Sequence, residues 1–220
     1  MKKARAIDHL LKVMAKLRSP TGCPWDREQD HRTLRWHAVE EVYELMDAIE
    51  ADDDHEMVEE LGDLLLQVVF HCQMASERGA FDFEKVTRHI VDKLIRRHPH
   101  VFRNAKAKTV DAVWEQWEQI KKAEKKGTRH ERPSALDGIP KHLPSLLRVE
   151  KLLKKARKAG LFDESNRAIK LKKAILAETL FHLADIAQLR GWSAEDLLRD
   201  EVKRREQEFR KKERSQSGKE

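Results

Sequence analysis

Residues 55–78, His55-Glu-Met-Val-Glu-Glu60-Leu-Gly-Asp63-Leu-Leu-Leu-Gln-Val-Val-Phe70-His-Cys-Gln-Met-Ala-Ser-Glu-Arg78, decide the fold. The run is too long for a strand and lacks Pro, so it predicts a helix. Through its middle it is apolar nearly all round, the pattern of a buried bundle helix. Glu60 and Asp63 nevertheless stand inside that apolar run, and a carboxylate on a core-bound helix needs a partner.

The partner is sought upstream. Glu40-Glu41-x-x-Glu44 lies on a second helix predicted from about Thr33 to Ala51, with Ala38, Val42, Leu45, Met46 and Ile49 inward, and Asp52-Asp-Asp54 breaks it. On a helix, residues three or four apart share a face, so Glu41 pairs with Glu44, Glu40 with Glu44, and Glu60 with Asp63. If the Asp52–Asp54 turn joins antiparallel helices, Glu44 and Glu60 lie roughly 13 and 11 Å from it, at nearly the same height. Four carboxylates then converge on one point.

Like charges so placed repel, and the remedies are protonation, Arg or Lys partners, or a hard cation. No Arg or Lys occurs between Trp36 and Glu77. Magnesium, which takes oxygen ligands and keeps several waters, is the expected occupant. A single Glu on a helix is ordinarily solvated surface, but Asp63 is flanked by Leu61, Leu64, Leu65 and Leu66. Gly62 lets a neighbouring helix or ligand approach closely. A di-iron carboxylate bundle requires two Glu-x-x-His motifs, and Glu28-x-x-His31 is a single match that precedes the acidic helices.

The remainder is also helical in pattern: residues 4–18, about Phe83 to Arg97, Val110 to Lys126, Leu146 to Ala159, Ala168 to Arg190 and Ala194 to Glu213. Cys23-Pro-Trp-Asp26 reads as an ordered loop and His98-Pro99 as a helix stop. Gly127 to Pro144 reads as a linker by composition, and Lys211 to Glu220 as a frayed tail. Eight Gly and six Pro in 220 residues favour an all-α class. Charged residues make up 38% and mean hydropathy is −0.75, which excludes a membrane-spanning class. Cys23 and Cys72 have neither disulfide-framework nor zinc spacing, and the basic N-terminus lacks the apolar core of a signal peptide, so a reducing cytoplasm is expected.

The net charge is +6, with acid concentrated at residues 40–63 and base at 93–126 and the C-terminal end. Lys93, Arg96 and Arg97 close the fourth long helix, where cations are stabilising in themselves and are also able to hold phosphate oxygens. Trp114 and Trp117 have the spacing of core residues. Lys121, four residues after Trp117, also permits a stacking and hydrogen-bonding pair for a nucleobase. No Gly-rich phosphate loop and no catalytic triad is present.

These residues resemble the MazG family of all-α nucleoside triphosphate pyrophosphohydrolases. The resemblance runs through Gly22-Cys-Pro-Trp-Asp26, Glu40-Glu41-x-x-Glu44, Glu60-Leu-Gly-Asp-Leu-Leu65, Lys93-Leu-x-Arg-Arg-His-Pro-His-Val-Phe102, Trp117-Glu-Gln-Ile-Lys121 and Ser134-Ala-Leu-Asp-Gly-Ile-Pro140. It is dense over about residues 7–153. It implies magnesium-dependent hydrolysis of NTPs and dNTPs to monophosphate and pyrophosphate, with manganese as a substitute ion. It further implies Glu41, Glu44, Glu60 and Asp63 as metal ligands, with Glu40 orienting water. Lys93, Arg96 and Arg97 would face the triphosphate, and Trp117 and Lys121 the nucleotide.

The family's two related helical modules correspond here to residues 1–126 and 145–220, joined by 127–144. The second is degenerate: in Leu176-Ala-Glu-Thr-Leu-Phe181, which echoes Leu61 to Leu66, Ile175 stands at the Glu60 position and Glu178 at that of Asp63. Arg204 matches Lys93, but Glu208 replaces the equivalent of Arg97. The expectation is one active N-terminal module and a C-terminal one kept for assembly, in a homodimer or higher homo-oligomer. An apolar helix such as 55–78 also needs more covering surface than one small module offers. The alternative is a non-catalytic nucleotide-sensing or interaction protein; neither a membrane nor nucleic acid is an expected partner.

Overall fold

The computed structural model describes residues 5–103, 105, 107–162 and 171–217. Its helices are α1 (Ala6–Leu17), α2 (Pro24–Glu28), α3 (His37–Glu50), α4 (Asp54–Glu77), α5 (Phe83–Arg97), α6 (Pro99–Phe102), α7 (Val110–Lys125), α8 (Ser145–Lys158), α9 (Lys173–Leu189) and α10 (Ala194–Ser217). No strand occurs among the described residues, so the class is all-α. The chain divides into two compact units, Met1–Val113 and Trp114–Glu220.

In the first unit α4 is the central element, contacted by α1, α3 and α5. Met14 of α1, Leu34 of the turn before α3, and Val69, Phe70 and Met74 of α4 form the core, sealed by Ile7, Leu10, Leu11, Leu66 and Phe83. Their spacing on α1 and α4 places them on one face of each helix. Arg18 fastens the end of this core. Its guanidinium meets Glu77 through paired bonds of 2.8 and 2.7 Å, lies over the Phe70 ring at 5.5 Å, and donates to the carbonyls of Asp26 and Gln29. One side chain thereby ties the end of α1 and the α2 segment to the end of α4. Gly22 is obligatory beside it, because a Cβ there would stand 2.0 Å from the Leu17 carbonyl oxygen.

Several expectations are corrected. The Cys23–Asp26 segment includes the start of helix α2, opened by Pro24 at its first position, where a missing N–H costs nothing. Residues 31–36 are turns rather than the start of α3, because Asp30 Oδ1 accepts from the N–H groups of Arg32 and Thr33 at 2.6 and 2.8 Å and holds a turn there. His98-Pro99 ends α5 but opens the short α6. Burial on α4 is confined largely to its C-terminal half, and Leu61 is half exposed. On α3, Val42, Met46 and Ile49 are likewise half exposed, because the described elements of the first unit leave that face uncovered.

The second unit packs α8 against α10 around Leu136, Leu152, Ala156, Leu161, Val202 and Phe209. Buried Arg148 meets Glu206 at 2.8 Å; Glu206 also holds Arg210, which reaches Asp137 at 2.8 Å. Ser145 is fully buried and donates from its hydroxyl to the Glu195 carboxylate at 2.8 Å. Residues 127–144 contribute to this unit: Leu136 enters its core, and Lys155 donates to the carbonyls of Ala135 and Asp137. The expected fraying from Lys211 is also corrected, since α10 continues to Ser217. Glu213 accepts there from Ser134 Oγ at 2.5 Å and Ala135 N at 2.7 Å; residues 218–220 lie outside the described residues. The start of the helix expected from Ala168 likewise falls on residues that are not described, and α9 is helical from Lys173.

A histidine pair joins the 31–36 turn to α4. His31 Nδ1 lies 2.8 Å from His71 Nδ1, the rings are stacked, and Arg78 Nη2 is 3.3 Å from His31 Nε2. Arg78 only donates, so His31 Nε2 accepts, the His31 proton resides on Nδ1, and His71 Nδ1 accepts it. Both rings must then be neutral. Burial, then the neighbouring His31, pushes the His71 pKa down. A histidine with a depressed folded pKa contributes stability that is complete above the unfolded value, about 6.5, and is lost as pH falls from there toward the folded value. Thermal melts at pH 7.5 and 5.5 test this. The wild-type melting temperature falls over that interval, and His71→Phe reduces the fall; an equal fall in the variant contradicts the assignment.

Candidate functional site

The α3–α4 hairpin builds the acidic site. Asp52, at φ 53°, adopts the left-handed conformation that reverses the chain, and Asp53 Oδ1 caps α4 by accepting from His55 N at 2.9 Å and Glu56 N at 3.2 Å. The two helices then run back along each other in contact. Residues at matched distances from the turn are thereby brought face to face. Glu41 of α3 and Glu60 and Asp63 of α4 each offer an oxygen within 4.8 Å of the others, and all three are half-buried.

Electrostatics at this point are unfavourable without a cation. Burial, followed by the charges of Asp63 and Glu44, pushes the Glu41 pKa up, while a side-chain hydrogen bond with Gln67 opposes the rise. Glu60 is likewise raised, first by desolvation and then by Glu44, Glu41 and Asp63. Glu60 Oε2 is buried and has no hydrogen-bond partner among the described residues. A buried acceptor so placed, among three further carboxylates and with no Arg or Lys on either helix, fits a hard divalent cation with oxygen ligands. Glu41, Glu60 and Asp63 are the residues able to hold one.

The other candidate residues fall into separate groups. Glu44 is exposed but close enough to Glu41 to act on it through both a hydrogen bond and its charge. Glu40 is exposed and pairs with His37 Nδ1 at 3.1 Å, outside the cluster of three. Lys93 and Arg97, four residues apart on α5, are half-buried, and Arg96 is exposed. Trp117 and Lys121 lie in the second unit, on α7. Lys121 Nζ stands 5.0 Å from the Trp117 ring centroid and 2.8 Å from Glu118, and Trp114 meets Trp117 edge-on at 5.2 Å.

Gln67 escaped the sequence reading. It sits one helical turn beyond Asp63, and its only signal was an amide inside an apolar run. A second group, His55, Glu56 and Glu59, also brings three ligand atoms within 4.8 Å, but it is wholly exposed at the start of α4 and has no orphaned buried oxygen.

Removing one of the repelling charges supplies a test. Because the folded pKa of Glu60 is raised, the folded state binds more protons than the unfolded between about pH 4.5 and the raised value, and stability falls as pH rises through that window. Glu60→Gln therefore raises the melting temperature of metal-free protein at pH 7 while abolishing most of the rise produced by millimolar magnesium. A metal-free melting temperature that drops, or a magnesium effect that persists unchanged, contradicts this account of the site.

Residues 29–102 match the MazG nucleotide pyrophosphohydrolase domain. A nucleoside triphosphate pyrophosphohydrolase of Escherichia coli K12 is 48% identical over 158 residues, covering 71% of this chain and 59% of that protein. The nucleoside triphosphate pyrophosphohydrolase/pyrophosphatase MazG of Thermotoga maritima is 46% identical over 156 residues, covering 71% and 58%. The chain thus spans about three fifths of the length of these relatives. A solved MazG-related protein from Thermotoga maritima aligns with a TM-score of 0.45 at 26% identity, covering 52% of this chain and 98% of that one. The segment that carries Glu41, Glu60 and Asp63 thus falls within the stretch that matches the MazG nucleotide pyrophosphohydrolase domain.

Proposed function

We propose that this chain is a magnesium-dependent nucleoside triphosphate pyrophosphohydrolase that converts NTPs and dNTPs to monophosphates and pyrophosphate, with its active site on α3 and α4. The observation that carries the reading is the convergence of Glu41, Glu60 and Asp63 around a buried, unpartnered Glu60 oxygen, inside the MazG-matched segment. The names of the similar proteins supply the reaction.

In this reading Glu41, Glu60 and Asp63, with Glu44 at the edge, hold magnesium, and manganese substitutes for it. When bound, the ion neutralises phosphate charge and polarises the phosphoryl group. Lys93 and Arg97 share a face of α5, which packs on α4, and they bind and orient triphosphate oxygens with Arg96 beside them. Glu40, solvent-exposed beside His37, orients the water that adds to phosphorus. The new P–O bond comes from that water, the α–β anhydride bond breaks, and pyrophosphate departs with the bridging oxygen.

Residues 145–220 are assigned an assembly role. Ile175 supplies no ligand, and Arg204 is committed to ion pairs with Glu201 at 2.6 Å and with Glu208. A non-catalytic interaction role is therefore the second reading, for residues 145–220. The chain is proposed to assemble with copies of itself. Val42, Met46 and Ile49 of α3 and Val58, Leu61 and Leu65 of α4 form an exposed apolar set of a kind that monomers rarely present. Burying that set beside the acidic cluster dries its surroundings. No helix among the described residues is long and apolar enough to cross a membrane. Cys23 and Cys72 are free thiols, in keeping with a cytoplasmic setting.

Incubation with each NTP and magnesium, with identification of the products, tests the reading. Pyrophosphate and monophosphate accumulate with wild type, and Glu41→Ala and Asp63→Ala each reduce the rate by about 100-fold or more. Release of diphosphate and phosphate instead, or full activity in either variant, overturns it.

A further inference from the structure

Gln67 is the one polar side chain buried in the first unit among the described residues, at 7% exposure. It follows Glu60 and Asp63 at the spacing that keeps all three on one stripe of α4. Across the contact between α3 and α4, its side chain acts on Glu41 and opposes the rise of that carboxyl's pKa. A carboxylate only accepts, so Gln67 presents its N–H to Glu41 and its Oε1 elsewhere. That Oε1 is buried and has no partner among the described residues, like Oε2 of Glu60. Two orphaned oxygens thus occur on the stripe that builds the cluster. Both are acceptors, so neither satisfies the other, and their shared deficit is of positive charge and of donors. A bare cation would serve the carboxylate, whereas an amide oxygen one turn away is suited to the O–H groups of a hydrated one. Magnesium binds with several waters retained.

We propose that Gln67 is a positioning residue of the acidic site: its amide N–H holds the Glu41 carboxylate in register with Glu60 and Asp63, and its Oε1 accepts from the hydration shell of the bound divalent cation. This rests on the metal-dependent reading above and extends it to a residue outside the acidic motifs. Groups that orient ligand carboxylates commonly govern cation affinity by one to two orders of magnitude without contacting the ion. A core-filling role makes the opposite demand on Gln67. An apolar side chain of equal length would then be as good or better, because it removes an unsatisfied buried oxygen.

The two roles separate in Gln67→Met, which keeps length and volume and loses both hydrogen-bonding ends. Magnesium is titrated calorimetrically into metal-free wild type and variant, without nucleotide, and melting temperatures are recorded for both. The expected result is cation affinity at least about tenfold weaker in the variant with an unchanged or raised metal-free melting temperature. In turnover, the magnesium concentration for half-maximal rate rises by a similar factor, and kcat at saturating magnesium is largely regained. Equal affinity in the two proteins overturns the proposal, as does a lowered melting temperature with unchanged affinity. Should Gln67→Met fail to fold, Gln67→Leu is subjected to the same comparison. Wild type that binds no magnesium sinks both this role and the metal-dependent reading. Wild type that binds magnesium, loses affinity on substitution and yet releases no pyrophosphate supports the role of Gln67 and removes the reaction alone.

Discussion

The mutual repulsion of carboxylates on the α3–α4 hairpin is the constraint on which the rest depends. Helix α4 buries its C-terminal half against α1 and the turn before α3, and this fixes Glu60 and Asp63 at the inner surface of the hairpin. The Asp52–Asp53 turn then delivers Glu41 to the same height. No Arg or Lys on either helix relieves the crowding, and Glu60 is left with a buried oxygen that nothing among the described residues satisfies. A fold that tolerates such a point is stabilised elsewhere and completed by a ligand of opposite charge.

The compensating stability is placed close by. Arg18 draws α1, the α2 segment and α4 together through a bidentate ion pair, two carbonyls and the Phe70 ring. Charge-assisted bonds of this kind to a largely buried guanidinium contribute about 1.5–3 kcal/mol each. The Arg78–His31–His71 chain anchors the turn that leads into α3. Both devices act at the end of α4 away from the acidic cluster, so the hairpin is clamped at one end while its acidic surface is left for a ligand. The open apolar surface of α3 and α4 lies on the same two helices, and any partner that covers it also lowers the dielectric around Glu41 and Glu60.

Much of this was legible in the chain. The length and near-continuous apolarity of residues 55–78 gave α4, and the triple Asp gave the turn, because helical periodicity and a cap are local signals. Distances from that turn matched Glu44 with Glu60, whereas the structure groups Glu41 with Glu60 and Asp63 and leaves Glu44 exposed at the edge. What stayed hidden depended on side chains meeting across elements. Of the inward set assigned to α3, Val42, Met46 and Ile49 are half exposed, because the sequence encodes an apolar face but not what covers it. The turn at residues 31–36 reflects the Asp30 side chain competing for backbone donors, which helical spacing does not register. Residues 127–144 have the composition of a linker, yet Leu136 and Asp137 find specific partners on α8 and α10. Gln67 was invisible for the same reason: a lone amide on an apolar helix acquires meaning only from Glu41 on the neighbouring one.

The most direct measurement is anomalous diffraction from crystals grown with manganese, recorded at the manganese absorption edge. The account predicts an ion bound by oxygens of Glu41, Glu60 and Asp63, with Glu60 Oε2 no longer unpartnered. A single ion at His55, Glu56 and Glu59, or none between α3 and α4, would contradict it.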